Sequence, residues 1–342
     1  MSHTGARSDA LAVLPDAART RLRPAAPPTR ADPMLATLTE RRDLDDEWLL
    51  EHKLDGERCL AWVAAGGATL RTRSDRDVTA TYPDVVAALA AVPGEVVLDG
   101  ELVAVDGDAA LGFERLQRRI GQGAPAPALI REVPVALWAF DVLHVDGQDM
   151  RGLELVDRQS VLAALVSPSA ALRRTEPQRG DAARRFGEAC GRGWEGLVAK
   201  RAASTYVAGR SRDWLKLKCL AEQELVVGGW TEPRGKREGL GALLLGYFEN
   251  GALRYAGKVG TGFHVATLRD LRGRLNGLAA DVSPFAETVR PLPPGTHWVR
   301  AELVAQIAFQ EWTRGGRLRQ PRFLGLRDDK PARDVVRERP SP

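Results

Sequence analysis

Apolar positions fall in two textures along this chain. From residue 34 to about residue 220, short runs rich in branched side chains alternate with stretches of helical spacing. The runs at 60–63, 68–71, 96–103, 135–143 and 196–200 have the length and composition of strands, whereas 83–92, 112–120, 155–165 and 181–191 read as helices. This mixture predicts an α+β domain. Beyond residue 220 strands dominate, at 224–230, 242–249 and 253–259, with one helix at 265–275. Val299, Ala301, Leu303, Ala305, Ile307 and Phe309 then alternate with polar neighbours, which predicts a single half-buried strand. Several strands around one helix suggest a small β-barrel, with the OB-fold as the leading candidate.

The first 33 residues stand outside this pattern. They are rich in Ala, Pro, Arg and Asp, with prolines at 24, 27 and 28, and read as a flexible leader. The expected organisation is therefore a leader at 1–33, a first domain at 34–220, a second at 221–336 and a tail at 337–342. A length of 342 residues, 44% of them hydrophobic, suits two domains. No apolar run approaches the roughly 20 residues of a membrane span, so a cytoplasmic protein without a membrane partner is expected. Cys59, Cys190 and Cys219 have neither disulfide-framework nor zinc spacing and are expected as free buried thiols. The histidines, at 3, 52, 144, 264 and 297, form no cluster that would suggest a metal site.

Charge adds a direction. Residues 1–200 hold 25 Lys+Arg against 30 Asp+Glu, whereas residues 201–342 hold 24 against 15, a net +9. A basic half of this kind suits contact with a polyanion, since each neutralised phosphate releases counterions. From Trp312 onward the run includes Arg314, Arg317, Arg319 and Arg322, candidates for a nucleic-acid backbone.

Candidate chemistry begins at Glu51-His52-Lys53-Leu54-Asp55-Gly56-Glu57-Arg58, between apolar Trp48-Leu49-Leu50 and a strand. A lysine there becomes a nucleophile only if it loses its proton, and at the ordinary pKa about one lysine in a thousand is neutral at pH 7. A neighbouring cation such as Arg58 would favour the neutral amine. Gly56 would let backbone approach a ligand closely. By itself Lys-x-Asp-Gly is also a common turn.

The string does not stand by itself. It resembles the first motif of the covalent nucleotidyltransferases, the superfamily of ATP-dependent DNA ligases, RNA ligases and mRNA-capping enzymes. Thr72-Arg73-Ser74-Asp75-Arg76-Asp77-Val78-Thr79, Leu98-Asp99-Gly100-Glu101-Leu102-Val103 and Ala139-Phe140-Asp141-Val142-Leu143 look like the motifs that follow. Glu195-Gly196-Leu197-Val198-Ala199-Lys200, Trp214-Leu215-Lys216-Leu217-Lys218 and Gly325-Leu326-Arg327-Asp328-Asp329-Lys330 complete the order. Asp75 stands where the second motif usually has glycine, so that loop's backbone path is open, while Arg73 stays in register. The details are similar to bacterial ligases of the end-joining type, and the module is expected to stand by itself here.

The resemblance implies an adenylation (nucleotidyltransferase, ATP-grasp-like) domain followed by an OB-fold domain, and an ATP-dependent DNA ligase needing Mg2+. Lys53 would carry AMP as a phosphoramidate. ATP would be held by Glu51, near the adenine amino group, Phe140, stacked on the base, and Glu101, at the ribose. Arg58, Arg73, Arg210, Lys216 and Lys218 would meet its phosphates, with Arg327 and Lys330 arriving from the second domain. Glu195 and Glu101 are the implied magnesium ligands, and Arg58 and Arg73 would also bind a DNA 5′-phosphate. The implied partners are nicked or broken double-stranded DNA and DNA end-joining proteins, for an enzyme acting as a monomer. An RNA ligase or capping guanylyltransferase shares the chemistry, and a silent nucleic-acid clamp would have lost the nucleophile, which is present.

Overall fold

The computed structural model describes residues 9–65, 67–107, 109–219, 221–233, 239–313 and 315–338. They divide into two compact units, one ending at Cys219 and one beginning after it.

The first unit contains two sheets. Strands β1 (Met34–Leu38) and β2 (Trp48–His52) belong to a four-stranded sheet with two late strands, β7 (Gly196–Arg201) and β8 (Gly209–Lys218), in the order β1-β8-β7-β2. Between them in sequence, β3 (Glu57–Ala64), β4 (Gly67–Thr72), β5 (Val96–Asp106) and β6 (Val135–Val145) form the larger sheet in the order β6-β5-β3-β4, extended by short strands. Strand β5 is central and buried almost throughout, as its run of Val and Leu requires. Helix α1 (Pro83–Leu89) covers this sheet, as does α2 (Leu155–Leu165), whose Leu155, Arg158, Val161, Leu162 and Leu165 turn one face to the core. Helix α3 (Ala182–Gly191) covers the smaller sheet through Ala182 and Ala189.

Two expectations are corrected here. The stretch read as a flexible leader is packed from residue 9 onward: Ala10, Leu14 and Ala18 are buried in the core of the larger sheet, and Arg23–Pro24 pairs with Gln148–Asp149. The Trp62 indole also donates to the Pro28 carbonyl at 2.6 Å. Alanine and proline dilute the apolar signal, yet three apolar side chains four residues apart suffice to seat the segment. Leu14→Ala is accordingly expected to cost about 2–4 kcal/mol in urea denaturation, where an unpacked leader would give no change. The second correction concerns the thiols: Cys59 is free and buried, but Cys190 and Cys219 form a disulfide that ties the end of α3 to the residue after Lys218.

The second unit is the small β-barrel of OB type. Strand β9 (Ala221–Thr231) pairs along one edge with β10 (Ala242–Glu249), which pairs with β11 (Ala252–Val259). Its other edge is shared by β12 (Thr296–Val299) and β13 (Val304–Phe309), and β13 pairs onward with β14 (Arg322–Arg327). Helix α4 (Val265–Gly277) buries Leu268, Leu271 and Leu275 against the same core. The predicted single strand through 299–309 is thus two. The chain turns at Arg300, whose N–H goes to the Leu278 carbonyl, and Val304–Ile307 is buried without alternation on a strand, β13, that is paired along both edges. At the predicted tail, the Glu338 N–H donates to Gln223 at 2.9 Å. Arg314 lies outside the described residues, whereas Arg319 pairs with Glu311 at 2.8 Å. No described helix is long and apolar enough to cross a membrane.

Candidate active site

Lys53 sits where the two sheets meet. Trp48, Leu49 and Leu50 are buried and fix β2 as a strand, and its last rung is the Lys53 N–H donating to the Gly196 carbonyl at 3.0 Å. The turn to β3 then passes over the larger sheet at Gly56. A Cβ there would collide with the Leu102 carbonyl and the Glu101 side chain, so only glycine lets the turn lie flat on β5. Glu101 is thereby placed on β5 opposite Arg58 of β3.

Four charged groups converge at this junction. Lys53 Nζ donates to Glu195 Oε2 at 2.6 Å, and Lys218 Nζ lies 3.7 Å from Glu195 Oε1. Gly196 is in register with Lys218 and Val198 with Lys216, so both lysines share one face of β8 as period-two alternation dictates. Burial alone would lower the Lys53 pKa, but the Glu195 charge and hydrogen bond, with Asp55 and Glu101, hold it above the ordinary lysine value. Burial pushes the Glu195 carboxyl up, and Lys53, Lys218 and Lys216 outweigh this and hold it below its usual range. The Lys53 ammonium is thus held by Glu195, and Arg58, paired with Asp99, is not the neighbouring cation expected to favour the neutral amine. Next to it His52 stacks on Trp194 at 3.9 Å, and burial drives its pKa down to about 4, so the ring is neutral at pH 7.

A second group lies between the sheets. Glu51 is buried and accepts from Lys200 Nζ at 2.8 Å and from Gln159 Nε2 at 3.3 Å; burial raises its pKa, opposed by Lys200. Phe140 is buried beside it, with Lys200 Nζ 4.2 Å from the ring centroid and the Trp214 ring edge-on at 6.0 Å. Arg58 is the main departure from expectation. Its guanidinium forks onto Asp99 at 2.6 and 2.5 Å and donates to the Met34 carbonyl, while its Cζ lies 4.6 Å from the Phe140 ring. Tyr206 completes this strut, donating to Asp99 at 2.7 Å and accepting from the Met34 N–H. A fork committed to a buried carboxylate is not presented to phosphate.

The remaining predicted residues make other contacts. Asp75 adopts φ +64°, the left-handed conformation a glycine would supply, and its carboxylate accepts from Arg71 at 3.0 Å. The loop carrying Arg73 thus keeps a glycine-type path without glycine. Arg210 is exposed at the start of β8, donating to the Ala36 carbonyl at 2.8 Å. Within the second unit Arg327 forks onto Asp329 and Lys330 pairs with Glu224 at 3.1 Å. Among the described residues no three His, Cys, Asp or Glu side chains form a metal cluster. Lys200, Asp99, Tyr206 and Gln159 were missed as site residues. The first two lie inside quoted motifs, whereas nothing local marks the others.

Comparison with known proteins follows the same lines. Residues 33–218 match the family model described as ATP dependent DNA ligase domain, and residues 236–330 match the ATP dependent DNA ligase C terminal region. A multifunctional non-homologous end joining protein LigD of Pseudomonas aeruginosa is 39% identical over 90% of this chain, and that of Mycobacterium bovis is 41% identical over the same share. The chain spans 37% and 40% of the lengths of these two relatives. Among solved structures, a mycobacterial DNA ligase D complexed with ATP and MES is similar at a TM-score of 0.66, with 38% identity, covering 90% of this chain and 98% of that one.

Proposed function

Because the chain belongs to the ATP-dependent DNA ligase family, we propose that it seals 5′-phosphate/3′-hydroxyl breaks in DNA through an AMP adduct on Lys53. The observation that carries this reading is the convergence of Lys53, Glu195, Lys218 and Lys216 at one sheet junction. Lys53 Nζ forms a bond to the α-phosphorus of ATP as the bond to pyrophosphate breaks. Attack requires loss of one ammonium proton beforehand and of a second proton from nitrogen once the N–P bond has formed, both passing to solvent, while Glu195 Oε2, 2.6 Å away, orients the resting ammonium. Lys216 and Lys218 offset the charge gathering on the α-phosphate, the main need of phosphoryl transfer. AMP then passes to a DNA 5′-phosphate, and the adjacent 3′-hydroxyl displaces it.

The donor set suits magnesium in part: two hard carboxylates, Glu195 and Glu101, would hold it while phosphate oxygens and water fill the other positions. When bound, it offsets phosphate charge. Glu51 and Phe140 would take the adenine base. Arg73 and Arg210 would meet phosphate, and Arg327 and Lys330 of the second unit would serve the leaving group. Arg58 acts in this reading by holding Asp99 and Phe140 in place. The enzyme would work as a cytoplasmic, nucleoid-associated monomer on nicked or broken double-stranded DNA, alongside end-joining proteins.

The test is incubation with α-labelled ATP or GTP and magnesium, followed by nicked DNA or nicked RNA. Label from ATP and sealing of DNA are expected. Label from GTP alone would instead point to a guanylyltransferase, and no label would refute the reading.

A further inference from the structure

Helix α2 places a polar side chain between the two residues assigned to the base. Gln159 Nε2 donates to the Phe140 carbonyl at 2.6 Å and to Glu51 Oε1 at 3.3 Å. Both partners are acceptors, so both amide hydrogens are used and the amide orientation is set. The helix cannot slide away from these contacts. Arg158, one residue earlier, forks onto Asp141 at 2.7 and 2.8 Å with both side chains fully buried, and donates to the Leu153 and Ser204 carbonyls. Phe140 and Asp141 are neighbours on β6, so adjacent helix residues grip adjacent strand residues.

We propose that Gln159 is a positioning residue for base selection, fixing the Glu51 carboxylate against the Phe140 main chain so that the site accepts ATP and rejects GTP. The proposal rests on the assignment of Glu51 and Phe140 to the base. A carboxylate has about four acceptor positions. Lys200 and Gln159 occupy two at Glu51 and the Thr175 hydroxyl lies against the same carboxylate, so the positions that remain are those for an exocyclic amino donor. An adenine amino group satisfies them, whereas the guanine 6-oxo group would set acceptor against acceptor at a buried site, where an unmet polar group is costly. Discrimination of this kind needs the carboxylate held still. Lys200 contributes charge from one side and Gln159 supplies the second point, which prevents the Glu51 side chain from turning about its bond to Lys200.

The experiment measures lysyl-nucleotide formation against ATP and GTP concentration for the wild type, Gln159→Leu, Gln159→Glu and Glu51→Gln. Gln159→Leu keeps the size and removes both donors. It is expected to raise the KM for ATP about five- to tenfold with kcat within about twofold, and to lower the ATP/GTP preference by a similar factor, as loss of one or two neutral hydrogen bonds implies. Gln159→Glu keeps the shape and sets a carboxylate against Glu51, so it should be worse than Gln159→Leu on both counts. Unchanged KM and preference in both variants would overturn the proposal. A fall in kcat and thermal stability with preference intact would overturn it too, because that is the signature of a purely structural contact. If Glu51→Gln loses preference while the Gln159 variants keep it, only the role of Gln159 fails. If Glu51→Gln also keeps it, the assignment of Glu51 to the base fails along with the proposal.

Discussion

A Lys53→Arg enzyme is expected to fold, to keep its ion pair with Glu195, and to form no covalent nucleotide adduct. Arginine preserves the positive charge that the buried Glu195 carboxylate requires, so the junction of the two sheets is not left with an unpaired anion. It cannot serve as the nucleophile, because the guanidinium stays protonated at any workable pH. The expected loss is on the order of 10⁴- to 10⁶-fold in adduct formation, the scale seen when a covalent nucleophile is removed. Lys53→Ala would lose the same chemistry but would also strip Glu195 of its closest partner, so the arginine variant separates chemistry from folding. Adduct formation by the arginine variant at a tenth of the wild-type rate would show that another residue carries the nucleotide.

Asp99→Ala is expected to destabilise the first unit by about 3–5 kcal/mol, the range for breaking a buried ion pair from one side. Asp99 is fully buried, and it receives two donors from Arg58 and one from Tyr206. Its removal leaves the Arg58 guanidinium, buried beside Phe140, with the Met34 carbonyl as its remaining hydrogen-bond partner of this group. Urea denaturation followed by tryptophan fluorescence measures the loss, since Trp214 packs against the same cluster. Asp99→Asn keeps one acceptor and should cost less. A change below about 1 kcal/mol for Asp99→Ala would mean that Arg58 finds another partner, and would return it to the list of phosphate ligands.

The sequence made some of this legible and hid the rest for identifiable reasons. Helix 155–165 has the same bounds in the structure, because its apolar spacing is complete within the helix itself. The order of motifs placed Lys53, Glu195, Lys216 and Lys218 in one neighbourhood, and the geometry brings them together. Of the smaller sheet, 34–38 and 48–52 were not read as strands. Its pairing joins Leu197 to His52 and Leu215 to Thr37, contacts between segments far apart in sequence, and β2 is only five residues long with no alternation to mark it. The same distance hid the fate of Arg58: nothing around residue 58 discloses that Asp99 and the Met34 carbonyl will occupy its donors. The Cys190–Cys219 pair was hidden likewise, since a 29-residue separation carries no framework signal. Asp75 ran the other way, its side chain suggesting a changed loop while its backbone kept the left-handed turn.

The most direct measurement of the central claim is peptide mapping of the protein after incubation with ATP and magnesium. The account predicts one acid-labile AMP, carried on the peptide containing Lys53 and discharged when nicked DNA is added. AMP on any other residue, or an adduct that persists in the presence of nicked DNA, would contradict it.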